Sequence, residues 1–125
     1  MPARNIWLGI AAVESDEPVI TDGQSALDLA ATIDYNHGTQ LVIIPKSAIC
    51  EDFFRLSTGI ASEVAQKFVN YGFHVAIVGD FSGYTSKPLR GYIYECNKGR
   101  HINFAATEDE AIEMLSNGED FKKLR

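Results

Sequence analysis

The first twenty residues alternate between apolar and polar stretches in a way that predicts β-structure. A mostly apolar run over residues 5–13 is typical of a strand, and the polar segment 14–18, which includes Pro18, is typical of a turn. The apolar pair Val19-Ile20 follows that turn. We therefore expect two strands here, joined as a hairpin or meander.

The pattern changes to a helical period after Asp22, which occupies a typical N-cap position. The residues of one helical face are Ala26, Leu29, Ala30 and Ile33. The helix is expected to end near Asn36, with Gly38 as its left-handed terminator.

Two short apolar runs, residues 40–44 before Pro45 and residues 73–78, are typical of strands covered on both faces in a parallel sheet. The first is expected at the centre of the sheet. Between them, Ser57 or Thr58 is predicted to cap a helix in which Glu63 and Lys67 pair outward. The core stripe of this helix consists of Ile60, Ala61, Val64, Ala65 and Phe68.

The remaining third of the chain repeats the strand and helix alternation. Ser86 with Pro88 marks a helix start, residues 102–104 a last strand, and Thr107 with Glu110 a capping box for a helix ending at Gly118. The predicted fold class is α/β, a single domain over residues 1–125 with a five-stranded mixed, mostly parallel sheet flanked by four helices.

Composition narrows the possible functions. The 125 residues are 46% hydrophobic and 22% charged, which is typical of one globular domain, and no apolar run approaches a membrane span or a signal peptide. The net charge of −6 disfavours nucleic acid as a partner. Cys50 and Cys96 form no disulfide or metal pattern, which fits a reducing cytosol, so we expect a cytoplasmic protein. Because no apolar run is long enough to span a bilayer, we also expect no contact with a membrane.

Two long connections follow the buried strands, residues 45–56 and 79–86. The carboxyl ends of parallel strands gather at one sheet edge, where ligands most often bind, so both connections are expected to share a rim if their strands are adjacent. Helix starts at Ser57, Thr58 and Ser86 could attract an anion there, although an ordinary polar turn explains the same residues more simply.

Catalytic and cofactor signals are weak. Asp80 follows a strand, but without a second acid or a nearby histidine it forms no acid-base pair, and it could equally fix its loop as an Asx-turn. His37, His74 and His101 are predicted to lie at the opposite edge. No cofactor and no metal site are expected.

The adjacent pair Phe53-Phe54 has two interpretations. One ring could be exposed as part of a contact surface, together with Tyr84 and its neighbours Tyr92 and Tyr94, or both rings could fill two sides of a short helical turn. The first interpretation predicts self-association, as a two-fold homodimer.

Several segments resemble a family of small bacterial proteins known only as a domain of unknown function. They are residues 21–22, 25–28, 52–68, 70–71, 76–81, 84–87 and 95–99. This family is similar to the STAS domain, named for sulfate transporters and anti-sigma factor antagonists, and the resemblance implies that fold. It also implies a phosphorylated Ser or Thr at the helix after the third strand, where Ser57 and Thr58 are nearest, although a longer loop precedes them here.

We therefore expect a non-enzymatic regulatory or interaction domain that presents its strand-end loops to an unknown protein partner or a small anionic ligand. The alternatives are a small enzyme using Asp80 with the hydroxyls of Ser82, Thr85 and Ser86, or an oligomeric scaffold. The expected contact residues are Phe53, Phe54, Ser57, Thr58, Asp80, Ser82, Tyr84, Thr85 and Ser86.

Overall fold

The structure is a computed structural model that describes residues 3–7 and 9–116, with side chains described from Gly9 onward. Its first feature is a hairpin of strands β1 (Ala3–Trp7) and β2 (Ile10–Val13), which pair antiparallel. The prediction of one strand over residues 5–13 is wrong, because Gly9 adopts a φ of 78° that lets the chain reverse there. The predicted strand at Val19-Ile20 is also wrong, since Ile20 forms only an isolated bridge with Ile49.

The sheet continues with three further strands, which are β3 (Leu41–Pro45), β4 (His74–Val78) and β5 (Ile102–Ala105). The strand order is β1-β2-β3-β4-β5, and every pair from β2 to β5 is parallel. The α/β class, the parallel sheet and the central position of β3 are thereby confirmed.

Within residues 9–116, four α-helices connect or follow these strands. They are α1 (Gly23–His37), α2 (Ile60–Asn70), α3 (Lys87–Lys98) and α4 (Glu108–Ser116). Three short 3-10 turns, Lys46–Ala48, Glu51–Phe54 and Leu56–Thr58, occupy the connection between β3 and α2. Four helices were expected, and the predicted end of the last one at Gly118 lies outside the described residues.

Helix α1 begins and ends as its sequence predicts. The Asp22 carboxylate accepts a hydrogen bond from the Ser25 N–H at 2.8 Å, and the Ser25 hydroxyl accepts one from the Asp22 N–H at 3.0 Å. This reciprocal pair satisfies two donors of the first turn. At the other end Gly38 has a φ of 61°, and its N–H bonds the Asp34 carbonyl. Local sequence therefore determines both ends of this helix.

The starts of α3 and α4 also follow the predicted capping residues. The Ser86 hydroxyl accepts from the Leu89 N–H at 3.4 Å, and the Thr107 hydroxyl accepts from the Glu110 N–H at 3.1 Å. The Glu110 carboxylate reaches back to the Ala106 N–H at 3.2 Å, one residue before the position expected in a capping box.

Helix α2 begins differently from the prediction. Its N-cap is Gly59, with a φ of 79°, and neither Ser57 nor Thr58 occupies the cap position. The Thr58 hydroxyl instead donates within the preceding turn, to the carbonyls of Asp52 and Arg55, and accepts from the Ile60 N–H at 3.2 Å. The sequence contains a hydroxyl at the right distance, but the 3-10 turn shifts the helix start beyond it.

Glu63 has a different partner from the predicted Lys67. Its carboxylate accepts a hydrogen bond of 2.7 Å from the N–H of Gly23, the first residue of α1. The carboxylate thus lies at the positive end of a neighbouring helix, where a negative charge is stabilising. The predicted outward pair is wrong because α1 and α2 pack side by side and offer this acidic group a better donor.

The sheet separates two cores. On one face, alternate residues of the strands such as Val42 and Ile44 pack with α1, α2 and α3 into the larger core. On the other face Ile43 and Ala76 pack with α4, which crosses β5, β4 and β3. The three-layer arrangement leaves the ends of the strands as the two edges at which loops collect.

Candidate functional site

The two long connections meet at the carboxyl edge of the sheet. Strands β3 and β4 pair along their whole length, with Pro45 opposite Val78, so residues 46–59 and 79–86 emerge side by side. The prediction of a shared rim is confirmed, and we call this region the carboxyl-edge surface. Gly79 permits the close approach, because a Cβ there would lie 2.6 Å from the Cβ of Lys46.

A cation and two stacked rings join the two loops. The rings of Phe54 and Tyr84 lie 5.1 Å apart at an angle of 18°, and the Lys46 ammonium lies 4.8 Å from the centroid of the Tyr84 ring. The Tyr84 hydroxyl donates to the Glu51 carboxylate at 2.8 Å. Burial, together with this bond, raises the pKa of Tyr84 above its ordinary value. The hydroxyl thus remains a donor that connects the loops.

Phe53 and Phe54 are both buried, with 1% and 4% of their surface exposed. The prediction that one ring is exposed is wrong, and the alternative interpretation holds. The short 3-10 turn directs the two rings to different parts of one core, and they meet edge to face at 5.0 Å. Neither phenylalanine therefore contributes an exposed ring to the predicted contact surface, and Tyr84 is half-buried.

Asp80 is held in an Asx-type turn. One carboxylate oxygen accepts from both the hydroxyl and the N–H of Ser82, at 2.6 and 2.9 Å. The Ser82 hydroxyl is the first cause, and its N–H the second, of a pKa of Asp80 below the ordinary value, to which the charge of Lys46 adds. The carboxylate is thus ionised and engaged in shaping its own loop.

An open pocket of about 340 Å³ adjoins this turn. Residues 79–82 form one side, and Ile93 of α3 with residues 104–106 forms the other. Phe81 and Phe104 meet there edge to face at 5.3 Å. The pocket combines an apolar wall with the polar groups of Asp80 and Ser82, so it could hold an apolar side chain close to a hydrogen-bonding group.

The hydroxyl residues Ser57, Thr58, Thr85 and Ser86 are all exposed, and they differ in their hydrogen bonds. Thr58 accepts from the Ile60 N–H at 3.2 Å and Ser86 from the Leu89 N–H at 3.4 Å, whereas the hydroxyls of Ser57 and Thr85 form no hydrogen bond within the described residues. At α1, the donors of Gly23 and Ser25 are already paired with carboxylates. The helix starts therefore offer an anion fewer free N–H groups than the sequence indicated.

Comparison with known proteins gives the chain a family. A family model described as a domain of unknown function, DUF4180, matches residues 8–115. The chain belongs to the DUF4180 family. No curated protein matches it. Among solved structures, a Thermotoga maritima protein assigned provisionally as an anti-sigma factor antagonist aligns over 91% of this chain and 92% of its own, with 13% identity and a TM-score of 0.49. That similarity carries no functional argument.

The carboxyl-edge surface of this DUF4180 chain also contains two residues that sequence reasoning missed. Lys46 and Glu51 lie in the connection of residues 45–56, but nothing in the local pattern indicates that both contact Tyr84 across the edge. The one signal in the sequence concerned Lys46, which directly follows the buried strand β3, whereas Glu51 lies beyond the next 3-10 turn.

The opposite edge of the DUF4180 domain contains His74 and His101, as predicted, and their rings stack at 5.1 Å. Within residues 9–116 no three His, Cys, Asp or Glu side chains are grouped to bind a metal ion. Cys50 and Cys96 are both free thiols. None of the helices in the described ranges has the length and apolar character needed to cross a bilayer.

Proposed function

We propose that this domain is a non-enzymatic regulatory or interaction module that docks a partner protein on its carboxyl-edge surface. The observation that carries the proposal is the cluster of Lys46, Glu51, Phe54 and Tyr84, which joins two loops into one preformed surface beside an apolar pocket. A preformed surface binds without the entropy loss of ordering its loops.

The partner best suited to this surface is a polypeptide that inserts an apolar side chain between Phe81, Ile93 and Phe104. Lys46 and the carboxylates of Glu51 and Asp80 give the rim both signs of charge, which favours a polar segment around that anchor. A small anion near Lys46 is the second candidate ligand, supported by that ammonium group alone.

Quantitative capture from bacterial cytosol tests the docking proposal. The blocking variant is Thr85→Arg and the matched control is Ser62→Arg, since both replace an exposed hydroxyl residue with the same bulky cation. Thr85 lies in the carboxyl-edge surface, and Ser62 lies on α2. We expect at least one captured protein to be lost with Thr85→Arg and retained with Ser62→Arg. Identical captured sets for the two variants would contradict the proposal.

Ser57 is the better candidate for phosphorylation, which the STAS resemblance led us to expect at Ser57 or Thr58. The Thr58 hydroxyl is engaged by three backbone groups. Ser57 is exposed, and its hydroxyl has no hydrogen bond within the described part of the chain. A phosphate on Ser57 would add negative charge to the carboxyl-edge surface and thereby alter docking.

A small enzyme based on Asp80 is the alternative function. The ionised Asp80 carboxylate and the hydroxyls of Ser82, Thr85 and Ser86 share one loop. Because the pKa of Asp80 is lowered, its basicity is reduced rather than tuned toward neutral pH. An activity abolished by Asp80→Asn with the fold intact would favour the enzyme over the docking module.

We further propose that the protein is bacterial and cytoplasmic and forms a homodimer. The free thiols fit a reducing cytosol, and the acidic composition is ordinary for a soluble bacterial protein. Because Phe53 and Phe54 are buried, the proposed dimer rests on other aromatic residues. Among the residues whose side chains are described, the exposed aromatics are Tyr35, Tyr71 and Tyr94, with 91%, 53% and 64% of their surfaces accessible. Light scattering of the wild-type chain and of Tyr35→Ser and Tyr94→Ser variants measures the mass. A monomeric mass for the wild type would remove the dimer from the proposal.

A further inference from the structure

A second pocket, of about 480 Å³, lies at the amino edge of the sheet. Its polar side chains are Asp34, Thr39, Gln40 and His74, and the backbones of Gly9 and Gly38 complete the wall. It is bounded by the C-terminal end of α1 and the first residues of β3 and β4. The carboxyl-edge surface occupies the other end of the same strands, so the two are separate.

The tautomer of the neutral His74 ring follows from its hydrogen bond. Its Nδ1 lies 2.8 Å from the carbonyl of Arg100, and the Nδ1 of His101 lies 3.3 Å from the carbonyl of Phe73. A carbonyl can only accept, so both Nδ1 atoms carry the proton. In the neutral ring of His74 the remaining nitrogen, Nε2, is therefore an acceptor.

Most other groups of the pocket are also acceptors, and the exception is Thr39, whose hydroxyl accepts from the Leu41 N–H at 3.1 Å and keeps its hydrogen as a donor. Gln40 uses its amide nitrogen on the Tyr71 carbonyl at 3.1 Å, which leaves its oxygen as the available acceptor. Asp34 contributes a carboxylate from the last turn of α1, where the helix dipole is negative. Of the described residues that line this pocket, none is a lysine or an arginine. The pocket is thus rich in acceptors, with one formal negative charge.

We propose that this amino-edge pocket binds a primary ammonium or a guanidinium group. Such a cation supplies several N–H donors, which match the Asp34 carboxylate, the Gln40 amide oxygen and the His74 Nε2. The net charge of −6 favours the approach of a cation. The group can belong to a free small amine or to a lysine or arginine side chain of another protein. This inference does not depend on the proposed docking function.

Titration by nuclear magnetic resonance tests the proposal with defined probes. n-Butylammonium and ethylguanidinium chloride are added at about pH 8, above the ordinary range of imidazole protonation. The amide signals of Gly9 and Gly38 report on the pocket wall. We expect saturable shifts with both probes and none with tetramethylammonium chloride at equal ionic strength, because that cation has the same charge but no N–H donor. Equal shifts with tetramethylammonium would overturn the proposal.

Two variants separate the pocket from the general surface charge. Asp34→Asn removes the carboxylate of the pocket, and Asp28→Asn makes the same change on α1 outside it. We expect Asp34→Asn to weaken binding about tenfold or more, and Asp28→Asn to leave it unchanged. Equal effects of both variants would refute a specific site.

A third titration identifies the source of the cation. A peptide with blocked termini, in which a single arginine carries the only charge, is compared with ethylguanidinium through the same amide signals. Binding at least about tenfold tighter for the peptide supports a partner protein, because neighbouring peptide groups then add contacts. Equal affinity supports a free small amine. Both results require the Asp34 dependence described above, and a peptide whose binding survives Asp34→Asn contradicts the site.

Discussion

Removing the carboxylate of Glu63 should destabilise the domain more than an exposed residue normally does. In Glu63→Ala the buried Gly23 N–H loses its acceptor at the start of α1. A hydrogen bond to a charged group contributes roughly 1.5–3 kcal/mol, so we expect a loss of about 2 kcal/mol. For a chain of this length that loss lowers the melting temperature by roughly 6–10 °C. Thermal and urea unfolding followed by circular dichroism measure both quantities.

The neighbouring glycine offers a sharper test, because its effect should change sign. A Cβ on Gly23 would lie 2.6 Å from the Glu63 Cγ and 2.7 Å from its Oε1. In the wild type, Gly23→Ala must displace that carboxylate and should cost about 1–2 kcal/mol. In the Glu63→Ala background the obstacle is absent, and the same change should stabilise by up to about 0.5 kcal/mol through the lower entropy of the unfolded chain.

The coupling energy from this double-mutant cycle should therefore be roughly 2 kcal/mol. Glu113→Ala is the control, since it removes an exposed glutamate from the middle of α4. Hydrogen exchange adds a local measurement, because the Gly23 amide should exchange faster in Glu63→Ala than in the control. Two results together would refute the proposed link between α1 and α2. They are equal stabilities of Glu63→Ala and Glu113→Ala, and the same effect of Gly23→Ala in the wild type and in the Glu63→Ala background.

Five further substitutions probe other parts of the chain. Gly91→Ala should raise the free energy of unfolding by about 0.5–1 kcal/mol, because the added Cβ meets open space. Gly79→Ala should lower it by about 1–2 kcal/mol, because the added Cβ lies 2.6 Å from the Lys46 Cβ, and equal effects of the two changes in urea unfolding would contradict this. Tyr92→Phe should stabilise by about 1 kcal/mol, because it removes a buried hydroxyl that has no hydrogen-bond partner of good geometry and whose pKa is raised by burial and then by the neighbouring Cys96 thiol. A lower melting temperature would show that the contact with Cys96 is stabilising. Thr58→Glu should cost about 2 kcal/mol and Ser57→Glu less than about 0.5 kcal/mol; the reverse order in calorimetry would refute the assignment of Ser57 as the accessible hydroxyl.

Much of the fold follows from short-range sequence patterns. The period of Ala26, Leu29 and Ile33 places α1, and the apolar runs place β3 and β4, because helices and buried strands are selected by neighbours only a few residues away. The hairpin was misplaced for a local reason. Gly9 follows an apolar run, and its positive φ is not visible in hydropathy.

The candidate site was less predictable because its contacts join distant parts of the chain. In the site, Tyr84 meets Glu51 across thirty-three residues, and outside it Glu63 meets Gly23 across forty. Each pairing depends on how two helices or two loops pack, which a local period does not encode. The exposure of Phe53 and Phe54 was misjudged for the same reason, since the core that receives them comes from other elements.

The simple strand order has a consequence for how the chain acquires its structure. Parallel neighbours begin at Ile10 and Leu41, at Leu41 and His74, and at Val75 and Ile102, so each pairing closes a segment of about thirty residues. The entropy of closing such a segment grows only slowly with its length and is similar at every step. The sheet can therefore be extended in the order of synthesis, each strand joining the edge that its predecessor has just formed, and β5 with α4 completes it last.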